Sequence, residues 1–307
     1  MNKKPRLRYG VIGAGSMGRH HARIIDLMPS VSLEAIAEPD KNQHLNIPDV
    51  LRSKIYDNYH EILDRVDAIS VVSPTSTHYS IAKDCLLANK HLLIEKPFTE
   101  TIAEAEELIS LAKERNLVVA IGYVERFNPA FIELTKIIKK EKILGITFNR
   151  LSPFPARITD ANVVRDMMIH DLDLLLALLP NEEIAEIKAS GKKIKSNKLD
   201  RVSATMHFVS GIVAKLVADR VSPERKRNIV VTTERNMYEA DLMKKKLFVR
   251  DFQSHVPSVH SAKDQDQLTA ELTDFIKAIK NNGQPKVTAL EGQQTLRLAE
   301  EVEKLCC

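Results

Sequence analysis

The chain has 307 residues, 44% hydrophobic and 28% charged, with only 10 glycines and 13 prolines, which excludes collagenous, low-complexity and disordered classes and allows about two domains. Its net charge of +4 comes with no basic stripe of interleaved aromatics, so no nucleic-acid partner is expected, and the lysine clusters at 192–198 and 244–246 read as solvated edges. Three cysteines, Cys85 and the adjacent Cys306 and Cys307, make neither a disulfide framework nor a metal cluster; with no export or membrane signal, a reducing cytoplasm is expected.

Through the first third, short β-branched runs alternate with helical patterns, the form of a parallel sheet built from βαβ units. Leu7 to Ile12 reads as a strand, then come a glycine turn and a helix from about Ser16 to Leu27. Strands follow at Leu33 to Ala37, Ala68 to Val72, Leu92 to Ile94 and Val118 to Ile121, with a helix at about Ile102 to Arg115. Five strands in this space make residues 1–122 a Rossmann dinucleotide-binding domain.

After Gly122 the pattern changes. A helix at about Pro129 to Lys140 and a strand near Ile146 to Arg150 precede a loop broken by Pro153 and Pro155, then a long apolar helix from about Val163 to Leu179. Six strands follow without a helix between them, near Ile184 to Ala189, Ser203 to Phe208, Ile212 to Asp219, Asn228 to Thr232, Met237 to Asp241 and Lys246 to Arg250. Consecutive strands imply a mainly antiparallel open sheet. Helices at about Gln265 to Asn281 and Leu290 to Leu305 close the chain. The expected class is α/β, with residues 123–307 an α+β domain for substrate binding and oligomerisation.

Gly13-Ala14-Gly15-Ser16-Met17-Gly18 fits G-x-G-x-x-G between a strand and a helix, where glycines permit the turn and let a pyrophosphate approach the helix N–H groups. Glu38, 20 residues past Gly18, is placed to bind ribose hydroxyls and to repel a 2′-phosphate, so NAD is favoured over NADP. Asp40 competes for that role.

Ile94-Glu95-Lys96-Pro97 lies where a strand ends, the rim at which open α/β sheets hold ligands. There the Lys96 ammonium can stabilise a developing alkoxide; the alternative is an exposed lysine at a strand terminus. In the long apolar helix, Asp166, His170 and Asp173 stand at i, i+4 and i+7, one polar stripe on a face otherwise fit for burial. An Asp-His pair there suits a general base, although a structural ion pair is the competing reading. His20 and His21 begin a helix, His44 and His60 lie in polar segments, and no histidines stand at metal-ligand spacing, so no metal is expected.

These residues resemble the Gfo/Idh/MocA family of sugar and polyol oxidoreductases over essentially the whole chain. The similar segments are Gly10 to Gly18, Ser73-Pro74-Thr75-Ser76-Thr77-His78, Glu95-Lys96-Pro97, and Asp166-Met167-Met168-Ile169-His170. The resemblance implies that Lys96 and His170 are the catalytic pair, with Asp166 supporting them, and that Ser73, Thr75, His78, Glu95 and Lys96 join the glycine turn in holding the cofactor. Gly122 to Pro129 and Pro153 to Ile158 look most like members that oxidise the 3-hydroxyl of UDP-N-acetylglucosamine. That implies Tyr123, Arg126, Asn128, Arg157 and Asp173 at the substrate, with Arg157 the first candidate for a diphosphate and Arg225 and Arg227 weaker ones. The tryptophan often found before the loop Ser222 to Arg227 in the family is absent here. A homodimer or homotetramer is implied as well. Left open are another sugar, inositol or dihydrodiol dehydrogenase of the family, and a non-catalytic dinucleotide sensor.

Overall fold

The computed structural model describes residues 6–154, 161–254, 257–261 and 265–306. The first sheet contains β1 (Leu7–Ile12), β2 (Val31–Ala37), β3 (Ile55–Tyr56), β4 (Ala68–Val71), β5 (His91–Glu95) and β6 (Val119–Gly122). All pair in parallel, in the order β3-β2-β1-β4-β5-β6. Every residue of β4 and β6 is buried, as expected of strands covered on both faces. The connections carry α1 (Ser16–Leu27), the short α2 (Lys41–His44) and α3 (Asp49–Arg52), then α4 (Thr75–Leu87) and α5 (Ile102–Glu114). Thr101 and Glu104 form a reciprocal capping box that starts α5. The elements of this domain not read from the sequence include the short α2, α3 and β3, the last only two residues long, and α4, whose polar and apolar residues are interspersed rather than sorted onto faces.

The second sheet follows α6 (Pro129–Ile138). It contains β7 (Ile143–Leu151) and, after a π-helical turn at Val164–Met168 and α7 (Ile169–Leu178), the strands β8 (Ile184–Lys192), β9 (Arg201–Phe208), β10 (Val213–Asp219), β11 (Lys226–Thr233), β12 (Asn236–Asp241), β13 (Lys246–Asp251) and β14 (Pro257–Ser261). Their order is β14-β13-β12-β11-β7-β10-β9-β8. In β9 and β10, buried Val202, Ala204, Met206, Phe208, Ala214, Leu216 and Ala218 alternate with exposed or half-buried neighbours until the strand end, the pattern of a sheet packed on one face. The expected antiparallel character holds except at the centre, where Phe148 of β7 lies opposite Leu216 of β10 in parallel and opposite Ile229 of β11 in antiparallel register. A parallel pair requires a crossover, and the chain from the π turn through β9 supplies one.

Helices α8 (Gln267–Lys280) and α9 (Ala289–Leu305) end the chain. Contacts separate the protein into two units, Met1–Tyr123 with Leu268–Gln293, and Val124–Gln267 with Gln294–Cys307. A single division between residues 122 and 123 is therefore corrected. Burial explains the return of α8 to the first unit: Phe275 packs edge-on against Tyr9, ring centroids 6.2 Å apart, and Val287 O accepts the Ile121 N–H at 3.2 Å. Such contacts join segments far apart in sequence, which local patterning does not register.

Candidate active site

The glycine turn between β1 and α1 uses its glycines for different reasons. Gly13 has φ +96°, and a Cβ on it would lie 2.6 Å from Val72 O; one on Gly18 would lie 1.9 Å from Gly13 O. The protein's own packing therefore forbids a side chain at both positions. At Gly15 a Cβ would meet nothing within 4 Å, so the chain itself does not require glycine there. Gly15 is the N-cap of α1, and no side chain caps the helix. Open space beside uncapped N–H groups of Ser16 and Met17 is a cradle for an anion such as a dinucleotide pyrophosphate, and the residues present fit that group.

Glu38, just past β2, is buried. Its Oε2 accepts the Ala14 N–H at 2.6 Å and its Oε1 the Asp40 N–H at 2.9 Å. Asp40 instead accepts Asn42 N–H at 2.9 Å and caps α2. Geometry thus distinguishes the two carboxylates: Glu38 belongs to the glycine turn, Asp40 to its helix. A carboxylate accepting two hydrogen bonds retains lone pairs for hydroxyl donors.

At the carboxyl ends of β4 and β5, Thr77 Oγ1 donates to Ser73 Oγ at 2.8 Å, and Thr75 opens α4. His78 is buried, with Nδ1 2.9 Å from Pro97 O and Nε2 2.9 Å from Ser73 O. It ties the two loops together. Glu95 likewise turns inward: Oε2 accepts the Lys96 N–H at 3.1 Å. Lys96 itself is half-buried between buried Glu95 and Pro97.

Behind this rim is a cluster that linear spacing concealed. His21 of α1, Glu95 of β5 and Glu271 of α8 are all buried, and one potential ligand atom from each lies within 4.8 Å of the others. His21 Nδ1 stands 3.0 Å from Ser70 Oγ, which is 2.8 Å from Tyr9 OH. The helical position of His21 suggested no role; its three partners come from three distant segments.

In the second unit, Asn162 Oδ1 accepts the N–H groups of Val164 at 2.9 Å and Arg165 at 3.2 Å, setting the start of the π turn. The expected α-helix from Val163 is thereby corrected: its first turn is π-helical, with i→i+5 bonding, a feature frequent at functional sites. Asp166 lies in that turn and His170 in the first turn of α7, both half-buried. Asp173, expected on the same stripe, is fully buried and receives two hydrogen bonds from Arg126, from Nε at 2.7 Å and Nη2 at 3.0 Å.

Asp171 escaped the sequence reading. Arg150 Nη2 and Nε bind its Oδ1 at 2.8 and 3.0 Å, while Arg150 Nη1 reaches Glu125 Oε1 at 3.1 Å. Asn128 Nδ2 at 3.0 Å and Gln267 Nε2 at 3.2 Å donate to the other Glu125 oxygen, and the Arg227 guanidinium approaches Glu125 at 3.7 Å. Burial alone would raise the Glu125 carboxyl, but Arg150 and Asn128 hold it below its ordinary range; burial raises Asp171 beyond what Arg150 offsets. Opposite charges at Glu125, Arg126, Asp171 and Asp173 amid apolar residues were the available sequence signal.

The residues expected at the substrate are placed as follows. Tyr123 is fully buried. Asn128 accepts the Ala130 N–H at 3.0 Å as the N-cap of α6 and donates to Leu242 O at 2.9 Å, so its amide is committed to the fold. Arg126 and Asp173 are paired with each other. Arg157 lies outside the described residues.

A family model described as an oxidoreductase family with an NAD-binding Rossmann fold matches residues 7–123, and one described as the GFO/IDH/MocA C-terminal domain matches residues 147–239. The chain is 33% identical to UDP-N-acetylglucosamine 3-dehydrogenase of Acidithiobacillus ferrooxidans over 304 residues, 96% of each protein. It is 26% identical to myo-inositol 2-dehydrogenase of Thermotoga maritima, covering 97% of this chain and 96% of that one. A solved structure of the Acidithiobacillus ferrooxidans enzyme superposes with a TM-score of 0.91 at 32% identity, covering 99% of this chain and 98% of that one.

Proposed function

The chain belongs to the Gfo/Idh/MocA family and is a dehydrogenase with an NAD-binding Rossmann domain, and from that premise we propose that it oxidises the 3-hydroxyl of UDP-N-acetylglucosamine to the 3-keto sugar. The observation that carries the substrate is the 33% identity, over nearly the full length of both chains, to an enzyme named for that reaction.

Bound nicotinamide supplies the hydride acceptor, and with it the redox chemistry. Gly13, Gly15, Ser16, Met17 and Gly18 hold the pyrophosphate, and Glu38 accepts the ribose hydroxyls. NAD is the cofactor rather than NADP, because a 2′-phosphate next to the Glu38 carboxylate would be repelled. The Lys96 ammonium orients the sugar hydroxyl and stabilises oxygen charge as the carbon gives up its hydride. His170 accepts the hydroxyl proton, and Asp166 tunes that base. The sugar carbon would give up a hydride to that acceptor while its hydroxyl proton passes to His170.

Among the described residues no helix is long and apolar enough to cross a membrane. The same proposal places the enzyme in the cytoplasm as a homodimer or homotetramer joined through the open face of the second sheet.

The test is NADH formation with UDP-N-acetylglucosamine, N-acetylglucosamine and myo-inositol, with mass spectrometry of the product and an amine acceptor to draw off the ketone. Turnover restricted to the nucleotide sugar is expected. Equal or faster oxidation of a free sugar or inositol would refute the substrate while leaving the dehydrogenase intact.

A further inference from the structure

Lys96 is gripped on both sides by buried groups. On one side Glu95 Oε2 accepts its N–H at 3.1 Å; on the other, the Pro97 carbonyl lies 2.9 Å from His78 Nδ1. The Glu95 carboxylate is itself constrained. Its Oε1 stands 3.4 Å from His21 Nε2, and His21 is oriented through its other nitrogen by Ser70, which contacts Tyr9. Tyr9, Ser70 and His21 have no exposure at all. The fold also makes room for this carboxylate: Gly122 of β6 is the register partner of Glu95, and a Cβ there would fall 3.1 Å from Glu95 Oε1. Thus a series of close contacts runs from β1 and β4 through α1 to the backbone of Lys96, its His21–Glu95 step being a buried 3.4 Å approach without a hydrogen bond.

We propose that His21 is a positioning residue for Lys96, acting through Glu95 to set where the ammonium stands against the reacting hydroxyl. It is not a cofactor ligand. A side chain without exposure and with one nitrogen at Ser70 and the other at Glu95 touches neither dinucleotide nor sugar. Its influence reaches the reaction through the Glu95 hydrogen bond to the Lys96 backbone. Small displacements there are costly, since a misplacement of about 1 Å in a catalytic group can cost roughly 100-fold in rate. The proposal rests on the assignment of Lys96 to the substrate hydroxyl.

Steady-state kinetics of His21→Leu, His21→Gln, Gly122→Ala, Lys96→Ala and the His21→Leu/Lys96→Ala double variant test it, with NAD affinity measured by calorimetry. His21→Leu should lower kcat by at least about tenfold while NAD affinity changes by no more than about twofold. His21→Gln keeps a polar group beside Glu95 and should recover most of the loss. Gly122→Ala, which displaces Glu95 without touching His21, should reproduce the fall in kcat; it keeps the test decisive if His21→Leu does not fold. The double variant should be no slower than Lys96→Ala, because His21 acts only through that residue.

A double variant slower by the product of the two single losses would overturn the proposal, as would a loss of NAD affinity matching the loss of kcat. Activity removed by a chelator and restored by Zn(II) would also overturn it, showing that His21, Glu95 and Glu271 hold a cation instead. If Lys96→Ala retains full kcat, the assignment of Lys96 fails first. That result is distinguishable, because His21→Leu then has no lysine effect to reproduce.

Discussion

Arg126 donates two hydrogen bonds to Asp173, joining the segment before α6 to α7 through a pair in which both side chains are buried. The pair fixes the start of the second unit against the helix that carries His170.

Breaking that pair should therefore cost stability before it alters recognition. Asp173→Asn and Arg126→Ala each leave a buried charge without its counterion, a loss of about 3 to 5 kcal/mol. Chemical denaturation of the purified variants measures it. A change below about 1 kcal/mol, the range of exposed pairs, would show that the site is wetter than its burial indicates.

The glycine turn yields a paired prediction. Gly15→Ala should fold with an unchanged or slightly raised Tm, since φ there is −62° and the space is open. It should nevertheless weaken NAD binding by about tenfold or more, ~1.4 kcal/mol, because its methyl group enters the pyrophosphate cradle. Gly18→Ala should instead destabilise the fold by about 1 to 3 kcal/mol or more, its Cβ meeting the Gly13 carbonyl. Calorimetry and thermal melts separate the two effects.

Lys96→Ala and His170→Ala should each lower kcat by ~100-fold or more, as removal of an electrostatic or acid-base group does, with NAD affinity nearly unchanged. Activity within a few-fold of wild type in both variants would remove the catalytic assignment.

Asp200 gives a pH prediction. It accepts the N–H groups of Ile194, Lys195 and Ser196 at 2.7, 2.6 and 2.9 Å and the Arg220 Nε–H at 2.9 Å. Burial works against its charge, yet the hydroxyl and amides of this loop hold the carboxyl well below its ordinary range. A depressed folded-state value means that the stabilisation is complete above the unfolded carboxyl range, about 3.9, and is lost as pH falls below it. Asp200→Asn should lower Tm clearly near neutrality, and the gap from wild type should narrow between about pH 4 and pH 2. A gap that stays constant across that interval would contradict the sign.

Several of these sites were legible in the sequence for a definite reason. The strand from Leu7, the turn Gly13 to Gly18 and the apolar stretch holding Asp166 and His170 are regularities within a few residues of chain. Turn sterics and side-chain periodicity act over that same distance. The choice of partner does not. Asp173 could have faced a cavity or a cation until Arg126, 47 residues away, supplied two hydrogen bonds. Asp40 competed with Glu38 for the ribose until the Ala14 N–H engaged Glu38 alone, and His21 acquired a place only when β4, β5 and α8 brought Ser70, Glu95 and Glu271 beside it. Local chemistry fixed which groups the chain carries and in which elements. Tertiary packing decided which of them neutralise one another, because burying a polar group is tolerable only beside a partner, and that partner arrives from wherever the fold's long-range register places it.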